Sequence, residues 1–279
     1  MSASTTTAPA RPRARSERSH VVSDALAMTW RNLLKYQRVP TLLMFSTIQP
    51  VMFVLLFAYV FGGAIPIPGI DYKDFLMPGI FVQTVIFGST QTGVGLAEDL
   101  SRGMIDRFRS LPMARSAVLA GRTTGDTVRN LFVVLLMTGV GYLIGFRFHN
   151  GFLSAVGAIL LAVVFGSAFS WISANIGLAV RDVESAQAAS FVWIFPLVFA
   201  SSAFVPVSSM PGWLQAWAKV NPVSITVDAV RFLTLGPDLA HTAHLQGSTT
   251  THVWQSLAWI AVILLVFAPL AVRRYRKIT

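Results

Sequence analysis

Glu98, Asp99, Arg102, Asp106, Arg107 and Arg109 crowd into one short segment between two long apolar runs. Charge is costly in hydrocarbon, so this segment must leave a bilayer, and its alternating signs suit a specific polar interface with a soluble partner. A second pair, Asp126 and Arg129, lies three residues apart at the edge of an apolar run. That spacing puts both on one helical face, where pairing lowers the cost of each, whereas a proton relay would need a chain of ionisable groups across the membrane. His241, His244 and His252 are metal-ligand types, but no acidic or cysteine ligand stands at metal spacing beside them. No cysteine occurs anywhere, and no Gly-Lys dipeptide, which excludes thiolate chemistry and ATP binding through a phosphate-cradling loop. A nucleophilic serine in the apolar runs would find no histidine there to act as its base. What remains is a set of polar side chains within apolar runs: Gln83, Thr84 and Gln91, then Ser170 and Asn175, then Gln187 and Ser190. They either line a pathway for a substrate or pack helices together.

The elements that must hold these residues are membrane helices. A chain that is 54% hydrophobic and 12% charged, with a mean hydropathy of +0.61, has more apolar surface than one 279-residue soluble domain can bury. The expected fold is all-α and polytopic, with six spans near 41–62, 76–97, 123–145, 152–179, 187–206 and 254–272. Pro50 and Pro196 predict kinks within two of them. Residues 1–22 read as a disordered basic tail and 23–279 as the membrane domain; the first apolar run begins too late for a secretory signal peptide. From Ser23 to Arg38, Leu26, Trp30, Leu33 and Leu34 recur at helical spacing opposite Arg31 and Lys35, which predicts an amphipathic helix on the membrane surface touching lipid. The net charge of +10 does not point to nucleic acid, because the basic residues flank apolar runs instead of forming a stripe with exposed aromatics. With both termini cytoplasmic, seventeen Lys and Arg fall inside, against Lys73, Arg147, Lys219 and Arg231 outside. The chain is therefore expected in the cytoplasmic membrane with both ends inside.

Between about Val207 and Val253, Trp213, Leu214, Trp217 and Val220 share one helical face, and Val223 to Leu235 forms another such segment. Two short helices that enter the outer leaflet and return satisfy this pattern; surface helices on an ordinary outer loop satisfy it too. From Gly236 to Thr251 the composition predicts an exposed loop.

Three stretches resemble the membrane subunits of type-2 ATP-binding-cassette exporters, in the branch of the daunorubicin-resistance permeases. Glu98-Asp99-Leu100, Gly103-Met104, Asp106-Arg107 and Ser110-Leu111-Pro112 are similar to that family's cytoplasmic coupling helix. Phe204-Val205-Pro206, Met210-Pro211 with Trp213, Asn221-Pro222 and Arg231 resemble its outer re-entrant region, and the amphipathic helix before the first span resembles its connecting helix. The resemblance implies a permease without ATPase activity, pairing with a second permease copy or paralogue and with two nucleotide-binding subunits that bind ATP and Mg. It implies that Glu98, Asp99, Arg102, Gly103, Asp106, Arg107, Arg109 and Leu111 couple to the ATPase. The cargo would be amphiphilic or lipid-like: a drug, a polyketide or a lipid. An uncoupled or proton-coupled carrier, or a polytopic membrane enzyme, stands as the alternative.

Overall fold

The computed structural model describes residues 29–30, 40–65, 67–104, 115–180 and 182–278. The basic tail, the amphipathic helix apart from Thr29 and Trp30, and the coupling residues Asp106, Arg107, Arg109 and Leu111 lie outside the described residues. All regular structure among the described residues is helical: α1 (Pro40–Leu55), continued by a π-helical segment (Leu56–Phe61), α2 (Tyr72–Ser101), α3 (Arg115–Ile144), α4 (Gly151–Val180), α5 (Val183–Phe199), α6 (Gly212–Val220), α7 (Pro222–Leu235), α8 (Pro237–Thr242) and α9 (Thr249–Ile278). Four of these have the length and apolarity to cross a membrane, over Tyr72–Ser101, Leu119–Ile144, Gly151–Val180 and Thr249–Lys277; Thr47–Phe61 and Val183–Phe199 are shorter apolar helices.

Helix α2 is the spine. Its central residues Ile80, Phe81, Val82, Val85 and Ile86 are fully buried, although a single helix in water would expose most of its surface. Its hydroxyls do not break it, because Ser89 and Thr90 donate back to the carbonyls of Ile86 and Phe87 at 2.6 and 2.8 Å. Against α4 the two backbones meet almost without side chains: a Cβ on Gly93 would collide with the Ser173 carbonyl, and one on Gly177 with Gly93 itself. Small residues at such crossings let membrane helices gain dispersion contacts that lipid cannot replace.

Helix ends follow local chemistry. α2 stops where Gly103 adopts φ +63°, with Arg102 N–H on the Glu98 carbonyl at 3.1 Å. Asp182 caps α5 by accepting the Ser185 N–H at 2.8 Å, a bond that holds its carboxyl below the ordinary carboxylate range. Helices run on through Pro50 and Pro196.

Two expectations need correction. The fifth apolar helix ends at Phe199, not near 206, because Asn221 Nδ2 takes the Leu197 and Ala200 carbonyls at 2.8 and 3.3 Å. The same side chain accepts the Val223 N–H at 2.8 Å and so starts α7, with Pro222 at its first position. The stretch after Gly236 is not simply a loop either: Gly236 turns the chain at φ +84°, Pro237 begins α8, and Ala240 and Ala243 are buried. The segment α7 is no surface helix, since Val223, Val227, Val230 and Phe232 are wholly enclosed.

Candidate functional site

The bundle has two chemically different ends and a polar cavity between them. At one end, α2 finishes with Glu98 and Asp99. Glu98 pairs with Arg102 at 2.8 Å on an open surface, while Asp99 pairs with Arg122 of α3 at 2.7 Å in a partly buried setting. Gly95 makes the second pair possible, because a Cβ there would occupy the place of the Arg122 guanidinium. Thr29 reaches the same end, donating to the Gly121 carbonyl at 3.1 Å. Arg274 near the close of α9 donates to the Asn175 carbonyl at 3.0 Å. Arg102, Arg122, Arg273, Arg274, Arg276 and Lys277 thus gather where α2 and α9 end.

Further along α2 is a cavity of about 160 Å³ between α1, α2, α3 and α5. Gln83, Thr84, Gln91 and Gln187, which sequence singled out, line it together with Gln49 and Asn130; Phe53, Phe87 and Phe191 form the apolar wall. Gln83 Oε1 and Thr84 Oγ1 are buried without a partner among the described residues. Acceptors in that state cost about 1–3 kcal/mol each unless a ligand or water meets them. Ser170, Asn175 and Ser190 do not line this cavity. Ser170 and Ser190 donate to their own helices, at Gly166 and Ala186, while Asn175 ties α4 to α9 through the Phe267 carbonyl at 2.8 Å. Arg129 also lines the cavity and donates to the Gly88 carbonyl and to Asn130, while Asp126 accepts from Thr92, so α3 is pinned to α2 by both charges.

From the cavity wall, phenyl rings continue along α5 toward the opposite end. Phe87 and Phe191 meet Phe195, then Phe199, Phe204 and Phe57, at centroid separations of 4.4 to 6.2 Å. Phe191, Phe195 and Phe199 recur at helical spacing in the sequence, but Phe57, Phe87 and Phe204 come from three other segments and join the ladder only through the fold.

At the far end, Arg231 of α7 is completely buried yet fully engaged. Its Nε donates to the Phe75 carbonyl at 2.9 Å, Nη1 to Asp228 at 2.9 Å, and Nη2 to the Ser202 and Ala203 carbonyls at 2.6 and 3.0 Å. The guanidinium also lies 3.5 Å from the Phe75 ring centroid. Arg231, Asn221 and Pro222 are therefore residues that fix the turn from α5 into α7. Trp213 on α6 is 75% exposed, as an interfacial anchor would be, and Pro206 shapes the chain before it. His241 and His252 bond to carbonyls of the α8–α9 connection, and no three metal-ligating side chains cluster among the described residues.

Residues 24–235 match the family model of ABC-2 type transporters. The chain is 38% identical to the daunorubicin resistance ABC transporter permease protein DrrB1 of Streptomyces coeruleorubidus, covering 94% of this chain and 89% of that protein. It is 28% identical to the probable doxorubicin resistance ABC transporter permease protein DrrC of Mycobacterium tuberculosis, over 92% and 89% of the two chains. A putative transport permease of Cyanophora paradoxa, ycf38, is 25% identical over 92% and 89%. With apolar helices long enough to cross a bilayer and a family match over most of its length, this chain is a multi-pass membrane protein that belongs to the ABC-2 type transporter family.

Proposed function

We propose that this chain is the membrane permease of an ATP-driven exporter that moves an amphiphilic or lipid-like substrate, such as a drug, polyketide or lipid, out across the cytoplasmic membrane. The observation that carries this reading is that one helix serves both ends of the task. Gln83, Thr84, Phe87 and Gln91 of α2 face the cavity, and Glu98 and Asp99 close the same helix. Seven residues at about 1.5 Å each separate Gln91 from Glu98, so a push at the charged end arrives at the cavity about 10 Å away with no flexible joint between. The cavity's division into a polar wall of amides, hydroxyls and the Arg129 side chain and an apolar wall of phenyl rings suits a cargo with one polar and one apolar side.

ATP and Mg belong to two separate nucleotide-binding subunits in this reading, and a second permease copy or paralogue completes the pathway; at about 160 Å³ the cavity of one chain is smaller than the ~300 Å³ that drug-sized ligands occupy. Helix α1 with its π-helical continuation reaches about 33 Å and α5 about 25 Å, which supports six crossings in all. The gathering of arginines where α2 and α9 end supports a cytoplasmic location for that end and for both termini. Helices α6 and α7 then form the outer re-entrant region, residues 23–279 the permease domain and residues 1–22 its basic tail.

The test is stimulation of a co-expressed nucleotide-binding subunit in proteoliposomes. Glu98→Ala combined with Asp106→Ala should leave membrane insertion unchanged and abolish stimulated ATP hydrolysis. Full stimulation by that variant would remove the coupling assignment.

A further inference from the structure

Above the Arg231 cluster the structure contains a second cavity, of about 350 Å³, which the transport reading does not use. It lies between α6, α7 and the start of α9, with Asp228, Gln215, Lys219, His252 and Val207 on its walls. Asp228 engages its partners with one oxygen only: Oδ1 accepts from Arg231 at 2.9 Å and from Ser202 Oγ at 3.0 Å, while Oδ2 takes no donor among the described residues. The side chain keeps 17% exposure. Gln215 spends its Nε2 on the Met210 carbonyl at 2.8 Å, which leaves Oε1 as an acceptor. His252 Nε2 sits 2.7 Å from the Gln246 carbonyl, which can only accept, so Nε2 carries a hydrogen, while Nδ1 is enclosed with no partner among the described residues. The interior thus offers two acceptors, Asp228 Oδ2 and Gln215 Oε1, to a donor-rich cation, because the Arg231 guanidinium on the same wall is spent on Asp228 Oδ1 and three carbonyls. Its rim wants the opposite, because Lys219 is exposed at the last turn of α6 without an ion pair among the described residues. Trp213 and Trp217 on α6 are exposed near this mouth, and tryptophan is the residue type that concentrates at headgroup depth.

We infer, resting on the orientation proposed above, that the cavity is a binding site for a zwitterionic phosphoethanolamine headgroup of an outer-leaflet phospholipid. The primary ammonium donates N–H bonds to Asp228 Oδ2 and to the acceptors beside it, and the phosphate meets Lys219. A trimethylammonium headgroup has the same charge and no N–H to donate, so it satisfies none of these acceptors. A headgroup held here packs against the network that fixes the α5–α7 turn, and binding therefore stabilises the outer end of the bundle.

The experiment is native mass spectrometry of the detergent-solubilised full chain, titrated with phosphatidylethanolamine, phosphatidylcholine, phosphatidylglycerol and dodecylamine. The wild type should retain phosphatidylethanolamine roughly tenfold more tightly than phosphatidylcholine, the size of one charge-assisted hydrogen bond. Lys219→Gln, which touches no internal contact, should weaken phosphatidylethanolamine by about the same factor without moving the melting temperature. Asp228→Asn, if it folds, should erase the preference over phosphatidylcholine. Equal binding of the two lipids by the wild type overturns the proposal, and so does a preference that survives Asp228→Asn in folded protein. Dodecylamine binding as tightly as phosphatidylethanolamine, with Lys219→Gln silent, overturns the lipid assignment in favour of an amine on some other amphiphile.

Discussion

The two ends of α2 handle charge in opposite ways. At its start, Arg231 approaches from α7 and uses one carboxylate, three carbonyls and a ring, with none of its surface left to solvent. At its close, Arg102 meets Glu98 with 71% of the arginine side chain exposed, and Asp99 holds Arg122 at the margin of the bundle. A network closed around its cation fixes geometry and, apart from Asp228 Oδ2, offers little to a newcomer. An open one costs little to rearrange and can exchange partners. The Arg231 end is thus built as a fixed anchor and the other as an open charged surface, the polarity that the proposed externally driven permease needs.

The comparison breaks most severely at Arg231. Arg231→Leu strands Asp228 and three carbonyls around a wholly buried position, and losing one partner of a buried pair costs about 3–5 kcal/mol. The expected result is loss of monodisperse protein on size exclusion in mild detergent, and Arg231→Lys should rescue only part, because an ammonium lacks the planar fork. A variant with unchanged melting behaviour would contradict the anchor role. Next in size is Gly95→Ala, whose methyl displaces the Arg122 guanidinium and breaks its bond to Asp99. Overpacking of that kind costs about 1–3 kcal/mol, measurable as a lowered melting temperature, and Arg122→Ala in the same chain should remove most of the clash.

Much of this layout can be read from residue order, and the portions that cannot have a common cause. The apolar runs and the arginine distribution are local patterns, so composition and spacing reveal them; the Asn221-Pro222 cap of α7 is local too, but it is legible in the sequence only as part of a family motif. The glycines at 93, 95 and 177 are not legible as contacts, because each is defined by what another helix brings to it. The same holds for the cavity: seven polar residues had equal standing in the sequence, and only the fold separates Gln83, Thr84, Gln91 and Gln187 from Ser170, Asn175 and Ser190. A hydroxyl or amide in an apolar run either returns to its own helix or faces a cavity, and the choice depends on the neighbour. Gln83→Leu sharpens this distinction. It removes a buried acceptor that has no partner among the described residues, so the melting temperature should hold or rise while transport of an amphiphile falls about tenfold. Ser170→Ala, which loses only a bond to Gly166, should leave transport unchanged.

The smallest expected effect on stability is also the most informative about the charged end. Arg102 and Glu98 form an exposed i,i+4 pair, and pairs of that kind contribute about 0.3–0.5 kcal/mol because solvent screens them and two long side chains must be ordered. Arg102→Ala should therefore leave the melting temperature of the isolated permease within error. If Glu98 and its neighbours are instead kept open for a nucleotide-binding subunit, the same substitution should raise the concentration of that subunit needed for half-maximal stimulation, and the defect should grow as salt is lowered and long-range attraction strengthens. A permease unaltered in both assays would show that Arg102 is solvated surface. One destabilised on its own would show that this end is an anchor like the other, and the contrast between the two ends of α2 would be lost.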